Sequence, residues 1–378
     1  MSAGEGAPGA EHWLAALERL VREESPSDDP AAVGRCAELV AELLAAECPG
    51  GETELLPGRD GRGPHLRWRR GREGPAVLLL GHLDTVWGHG TFGPLFERRP
   101  GWASGPGVFD MKGGVVIALA ALAARHAAGW PGGRVTLLLT SDEEVGSETS
   151  RAVIEAEARA HQAVLVLEPA QGASVKVGRK GVGDFQLTVT GRAAHAGLEP
   201  ERGVNAVEEM ARQIPKVAAL ADPARGTTVT PAVVRGGTRT NVVPAQATLE
   251  IDVRVRTAAE AERVTAQLAA LTPVDPQAGL TVRGGLNRPP MEAEQAAPLF
   301  ALAAAVAAEL GGPPLTAVEV GGGSDGNFTA ALGIPTLDGL GAVGGQAHAE
   351  GEWIDTDRLP ERIALLSGCL DRILTPGA

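Results

Sequence analysis

Two histidines and a set of acidic residues recur at comparable places along the chain. His82 and Asp84 end the apolar run PAVLLLGHLDTV (75–86), and Asp110 heads DMKGGVVIALAALAARHAAG (110–129). Asp142, Glu143 and Glu144 end RVTLLLTSDEE (134–144), Glu168 ends AVLVLEP (163–169), and His348 lies in a glycine-rich stretch behind PTLDGLG. Imidazole nitrogen and carboxylate oxygen are normal zinc ligands. Two histidines and three carboxylates, one of them shared, would hold two zinc ions. Asp84, two residues after His82, is placed to accept the other imidazole N–H and fix the ring's tautomer. A glutamate not engaged on metal would serve as general base for an attacking water. The adjacent pair Glu143 and Glu144 offers one residue for each task.

The elements that must carry these residues follow from periodicity. Continuous apolar strands at 75–86, 134–144 and 163–169 alternate with helical patterns at 11–24 and 110–129. That order implies an α/β fold, a mostly parallel sheet sandwiched by helices. Open sheets of this kind place ligands just beyond the carboxyl ends of their strands. Taken singly, Asp110 reads as a helix cap and Asp142–Glu144 as a solvated loop. Chance capping does not also bring two histidines and adjacent glutamates to one plane.

From Gly181 the strands alternate in polarity, as sheets with one wet face do. GVGDFQLTVTG, a helix over 205–220, TTVTPAVVRGG, AQATLEIDVRV and a helix over 258–271 form an inserted α+β domain. Its expected extent is 180–289. The catalytic domain is then discontinuous, 1–179 and 290–378, resuming with a helix near 296–310, TAVEV at 316–320 and a last helix around 357–373.

Composition limits the partners. The chain has 378 residues, a formal charge of −13 and no basic block able to track a phosphate backbone, which argues against nucleic acid. Cys36, Cys48 and Cys369 make no C-x-x-C pair and are odd in number, so neither a disulfide framework nor a cysteine zinc site is expected. No secretion signal or membrane span is read, and the expected location is the cytoplasm. GLGAVG (339–344) fits G-x-G-x-x-G, but the polar run GQAHAEGEW follows in place of an apolar helix, which excludes a dinucleotide site. Among the other histidines, His12, His126 and His161 read as helical and His65 as part of a polar turn. His89 is given a supporting or surface position. Lys112 is expected to pair with carboxylates behind the metals.

Several motifs together carry a resemblance. GHLDTV (81–86), GPGVFDMKGG (105–114), TSDEEVGS (140–147), Glu168-Pro169, GRAAHAG (191–197), NVVPAQATLEIDVR (241–254), GGGSDGNF (321–328) and a late histidine occur in order over residues 75 to 355. They resemble the di-zinc metallopeptidases of the glutamate carboxypeptidase, acetylornithine deacetylase and succinyl-diaminopimelate desuccinylase family, the glutamate carboxypeptidase type most of all. The resemblance implies that Asp110 bridges two zincs, with cobalt or manganese possible in their place. His82 and Glu168 would complete one metal, Glu144 and His348 the other. Glu143 would be the general acid/base, Asp84 would orient His82, and His195 would stabilise the oxyanion from a partner subunit. Asn241, Arg254 and Arg288 would grip the substrate's carboxylate, with Gly322 in a loop offering backbone N–H groups.

One departure concerns Ser174 and Lys176. Glutamate carboxypeptidases present Lys-x-Ser to the glutamate side chain; this chain has Ser-x-Lys, with Arg179 and Lys180 close behind. The pocket stays positive, which suits an acidic side chain. The resemblance implies cleavage of the amide bond of N-acyl amino acids or of the C-terminal residue of short peptides, by a homodimer joined through the inserted domain, which would serve as lid and dimerisation domain. The alternative is an N-deacylase of the acetylornithine or succinyl-diaminopimelate type. More remote is an inactive binding protein on the same scaffold.

Overall fold

A computed structural model of the chain describes residues 8–71 and 73–375. They form two compact units. The first comprises residues up to Gly178 together with Ala293–Glu319 and Ser324 onward; the second comprises Arg179–Glu292 and Val320–Gly323.

The first unit is built on a six-stranded sheet. Its order is Glu52–Leu56, His65–Arg70, Arg134–Thr140, Ala76–His82, Ala163–Val166, Thr336–Leu337. The last four strands run parallel and the first two antiparallel. Ala76–His82 lies inside the sheet and every one of its seven residues is buried, which is why the run is apolar throughout instead of alternating. On one face Ile154, Ala158 and Phe328, from helices Arg151–Arg159 and Gly326–Ala331, pack on Leu78, Leu80, Leu138, Val164 and Val166. Elsewhere in the unit, helix Gly113–Ala127 packs against Leu359–Leu374. Gly114 permits a close approach: a Cβ there would lie 2.0 Å from the carbonyl oxygen of Leu167. Without it the helix behind Asp110 could not lie so near the segment that carries Glu168.

Several sequence expectations are corrected. The helix expected from Asp110 begins at Gly113; residues Val108–Lys112 form a separate turn with non-helical backbone at Asp110 and Met111. Ala317–Val320, expected to resume the α/β alternation, pairs with Val175–Arg179 in a two-stranded ribbon, and the edge of the main sheet is Thr336–Leu337. His65 opens a strand and is buried, and His161 lies buried just beyond helix Arg151–Arg159. A small antiparallel sheet, Gly344–Gly345, Trp353–Ile354, Trp102–Ser104, Glu97–Arg99, flanks the loop that carries His348. All three cysteines are free and buried, and all belong to this first unit.

The second unit is a four-stranded antiparallel sheet in the order Thr228–Gly236, Gln246–Val255, Gly181–Thr190, Gly279–Arg288. Burial alternates residue by residue along its inner strands. Helices Ala206–Ala218 and Ala258–Ala269 supply Met210, Val217, Val264 and Leu268 to the core, against Phe185, Leu187, Leu249 and Ile251. Among the described residues, no helix of either unit is long and apolar enough to cross a membrane.

Candidate metal centre

His82 is the last residue of the buried strand Ala76–His82 and is 1% exposed. Its Nδ1 lies 2.9 Å from the backbone carbonyl oxygen of Asp84. A carbonyl only accepts, so Nδ1 carries the proton and donates. That leaves Nε2 with a lone pair in the neutral ring. Nε2 faces Asp110 Oδ1 at 3.2 Å and Glu168 Oε1 at 3.6 Å. Acceptor facing acceptor in a buried site calls for a proton or a metal cation between them.

Asp110 sits on the turn Val108–Lys112 and faces both histidines. Its Oδ1 is the atom near His82, and its Oδ2 lies 3.3 Å from Nε2 of His348. His348 Nε2 is also 3.1 Å from Glu144 Oε2. The donor atoms of His82, Asp110 and Glu144 lie within 4.8 Å of one another, as do those of His82, Glu143 and Glu168. The sequence-predicted His82, Asp110, Glu143, Glu144, Glu168 and His348 are thus brought together.

The local fold explains how. Asp84 is fully buried, and its carboxylate accepts N–H from Glu143 and from Glu144, each at 3.2 Å, and the Ser27 hydroxyl at 2.7 Å. The same carboxylate stands 3.5 Å from His82 Nδ1, farther than the Asp84 carbonyl. Asp84 therefore meets His82 mainly through its backbone and holds the Glu143–Glu144 turn with its side chain. Asp142, buried one residue earlier, accepts from Thr149 N (2.7 Å), Thr149 Oγ1 (2.8 Å) and Ser150 N (3.3 Å), closing the loop that presents the two glutamates. Lys112 is buried, but its ammonium donates to the backbone carbonyl of Glu23 at 2.9 Å. That contact differs from the carboxylate pairing the sequence suggested.

Electrostatics point the same way. Burial pushes the Glu144 carboxyl up, and its Oε1 has no hydrogen-bond partner. Asp110 is held far below the usual carboxylate range: burial raises it, but hydrogen bonds from His348 and His82 outweigh this. His348 is pushed up to about 11 by Asp110 and Glu144. His82 also rises well above its ordinary value: burial acts against this, and hydrogen bonds to Asp110, Asp84 and Glu168 overcome it. Four carboxylates converge on two imidazoles, with a buried acceptor oxygen of Glu144 left unpaired. That donor set fits divalent metal, whose positive charge both satisfies the acceptors and displaces the extra imidazole protons.

His195, Asn241, Arg254, Arg288 and Gly322 belong to the second unit, Lys176 to the first. His195 is exposed, and its Nδ1 accepts N–H from Gly197 and Leu198, each at 3.1 Å, which places the ring proton on Nε2. Arg254 pairs with Asp252 at 2.8 Å. Arg288 is buried and donates to Asn287 Oδ1 at 3.2 Å. The carbonyls of Gly322 and Gly323 accept from Arg179 at 3.2 and 3.0 Å. Asn241 is exposed, with its carbonyl accepting from Ala196. Lys176 is buried, and its backbone pairs with Asp338.

Residues 78–372 match the model of peptidase family M20/M25/M40. The chain belongs to this family. It is a hydrolase of the metallopeptidase class. It is 33% identical over 302 residues to carboxypeptidase G2 of Pseudomonas sp. (strain RS-16), covering 78% of this chain and 73% of that one. With succinyl-diaminopimelate desuccinylase of Alkalilimnicola ehrlichii it shares 31% identity over 363 residues, 90% of this chain and 94% of that one. In fold it is similar to the YXEP protein of Bacillus subtilis, a dinuclear metal binding peptidase of the M20 family. The TM-score is 0.69 at 16% identity, covering 97% of this chain and 98% of that one.

Proposed function

We propose that this family member is a di-zinc carboxypeptidase or N-acyl-amino-acid hydrolase of the glutamate carboxypeptidase type. The observation that carries the proposal is Asp110, whose two oxygens face two histidines, each with its own glutamate: His82 with Glu168 and His348 with Glu144. One ion would be held by His82, Asp110 and Glu168, the other by His348, Asp110 and Glu144. The dinuclear metal binding of the YXEP protein supports the count. Bound there, divalent ions supply Lewis-acid polarisation of an amide carbonyl and of water.

The chain's own groups perform the proton work. Glu143, beside Glu168 and His82, accepts the proton of the attacking water and returns it to the leaving amine nitrogen. Asp84 holds Glu143 at its backbone N–H. His195 donates from Nε2 to the oxyanion that develops on the carbonyl. Asn241, Arg254, Arg288 and the backbone at Gly322 in the second unit, and Lys176 in the first, are each assigned to the substrate's carboxylate.

The enzyme acts as a homodimer through its second unit. There Thr228–Gly236 is an edge strand, with Val233 at 41% and Val234 at 57% exposure. An edge of that kind is a ready template for pairing. The three free, buried thiols support a cytoplasmic location.

The test is a hydrolysis panel of N-acyl-glutamate, N-acyl-aspartate, acetylornithine and succinyl-diaminopimelate, with Glu143→Ala as blank. The expected preference is for the acyl-glutamates, by the motif resemblance to the glutamate carboxypeptidase type, and the similarity to carboxypeptidase G2 supports a carboxypeptidase. Preference for acetylornithine or succinyl-diaminopimelate would establish the deacylase reading, to which the desuccinylase relatives lend support. Absence of bound metal and of turnover would leave a binding protein.

A further inference from the structure

Glu352 lies four residues after His348, within the polar run GQAHAEGEW, and is 1% exposed. Its Oε1 accepts N–H from Phe109 at 2.8 Å and from Asp110 at 2.9 Å. Its Oε2 accepts N–H from Gly107 at 3.1 Å and from the indole of Trp87 at 2.9 Å. Four donors thus surround one buried carboxylate, three of them from the backbone of the turn that presents Asp110. Glu352 is itself fixed: its carbonyl accepts the Ser104 hydroxyl at 2.6 Å, and the next residue, Trp353, pairs with Ser104 in the small sheet.

We infer that Glu352 is a positioning residue that sets the Asp110 turn against the His348 loop and so aims the shared carboxylate at both metals. The inference rests on the metal centre proposed above and adds a residue to it. Residues 107–110 are not regular helix; Gly107 has a φ of +70°, and Asp110 and Met111 have non-helical backbone. Three N–H groups of this turn meet on one side chain, and a carboxylate has the oxygens for all of them. An amide has one acceptor oxygen and would turn an NH2 group toward two of the donors. Because Glu352 and His348 share one short loop, the contact also fixes the second histidine relative to Asp110.

The experiment is Glu352→Gln, with Glu352→Asp as the conservative variant. Glu157→Gln is the control, because Glu157 is a buried carboxylate bonded to Arg67 and Arg69 in the same unit. Zinc affinity is measured by competition with a chromophoric chelator, and kinetics are read on the zinc-loaded protein. E352Q is expected to bind at least one zinc about 10–100-fold more weakly, with kcat lowered and KM within about twofold. E352D should recover part of the affinity. E157Q should lower the melting temperature and leave zinc affinity alone.

If E352Q does not fold, Trp87→Phe decides, since it removes one of the four donors and keeps a ring; a weakening of about two- to fivefold is expected for one lost hydrogen bond. Unchanged zinc affinity in folded E352Q, or in W87F where that variant decides, overturns the inference, as does an equal loss in E157Q. If the wild-type protein binds no zinc, the metal centre falls and this inference with it. If wild type and E352Q bind zinc alike, only the inference falls.

Discussion

Glu260 in the second unit and Asp110 in the first are both largely enclosed by protein, but their charges are met differently. Glu260 accepts from Arg263 at 2.6 and 2.9 Å, from Arg225 at 2.9 Å and from the Thr227 hydroxyl at 2.7 Å. Arg263 above all draws its carboxyl down to about 2. Glu209, in the same unit, is met by Gln213 and the backbone N–H groups of Val274 and Asp275. Around Asp110 the neighbours are Glu144, Glu168 and two imidazoles, and Glu144 keeps an unpaired oxygen. A carboxylate whose counter-charge is written into the chain serves the scaffold. A group of carboxylates that meet each other and histidine needs positive charge from outside, and that need distinguishes a metal centre from a structural ion pair.

The contrast can be broken in several places. Glu143→Ala should lower kcat by about 10²–10⁴-fold while metal content by elemental analysis stays as in wild type; a loss of metal would make Glu143 a ligand. Stripping metal with a chelator should remove about 4 kcal/mol of stability, for an ion at a thousandfold excess over its Kd. Hydrogen exchange should report that loss at Ala76–His82 and leave Gln246–Val255 unaffected; equal loss in both would erase the distinction. Glu260→Gln should cost about 1.5–3 kcal/mol, the range for hydrogen bonds to charged groups, and urea titration should show this with zinc content unchanged.

The acid response gives a finer discrimination. Glu260 titrates near 2 in the folded chain against an ordinary 4.5. Its stabilisation is therefore fully present above about pH 4.5 and is lost as the pH falls through about 2. Urea midpoints taken across that window should fall in wild type and stay flatter in E260Q. The smallest signal comes from mixing Glu143→Ala with His195→Ala protein after subunit exchange. Action of His195 across a dimer predicts recovery to about a quarter of wild-type activity, because half the dimers are mixed and each has one intact site. No recovery would place His195 in its own subunit's site.

The metal-type residues were legible because each follows a continuous apolar strand or opens the next element, and strand ends are where such sheets place ligands. His82, Asp110 and Glu168 could be read that way with no contact known. Glu352 could not. Its partners are Trp87 and backbone groups at 107–110, more than 240 residues earlier, and a backbone donor leaves no mark in a sequence. Asp84 was legible as a partner of His82, but its hold on the Glu143–Glu144 turn depends on the pairing of Ala76–His82 with Arg134–Thr140. His65 misled because HLRWRR is rich in arginine. In the strand Leu66 and Trp68 point inward, while Arg67 and Arg69 reach Glu157 on the other face. Strand Glu52–Leu56 leaves little trace in the sequence: ETELL neither alternates in polarity nor runs apolar throughout, and it lies at the exposed edge of the sheet.

The buried thiols have a practical consequence. Cys36, Cys48 and Cys369 are at most 1% exposed, and burial pushes Cys369 up to about 12, so the folded chain offers an alkylating reagent little thiolate. Labelling must wait for the surrounding helices to open, and its rate then counts openings. Since all three sit in the first unit and none in the second, the chain carries its own clock for one of its two units. Mass spectrometry of alkylated protein can follow that unit alone, with no engineered probe.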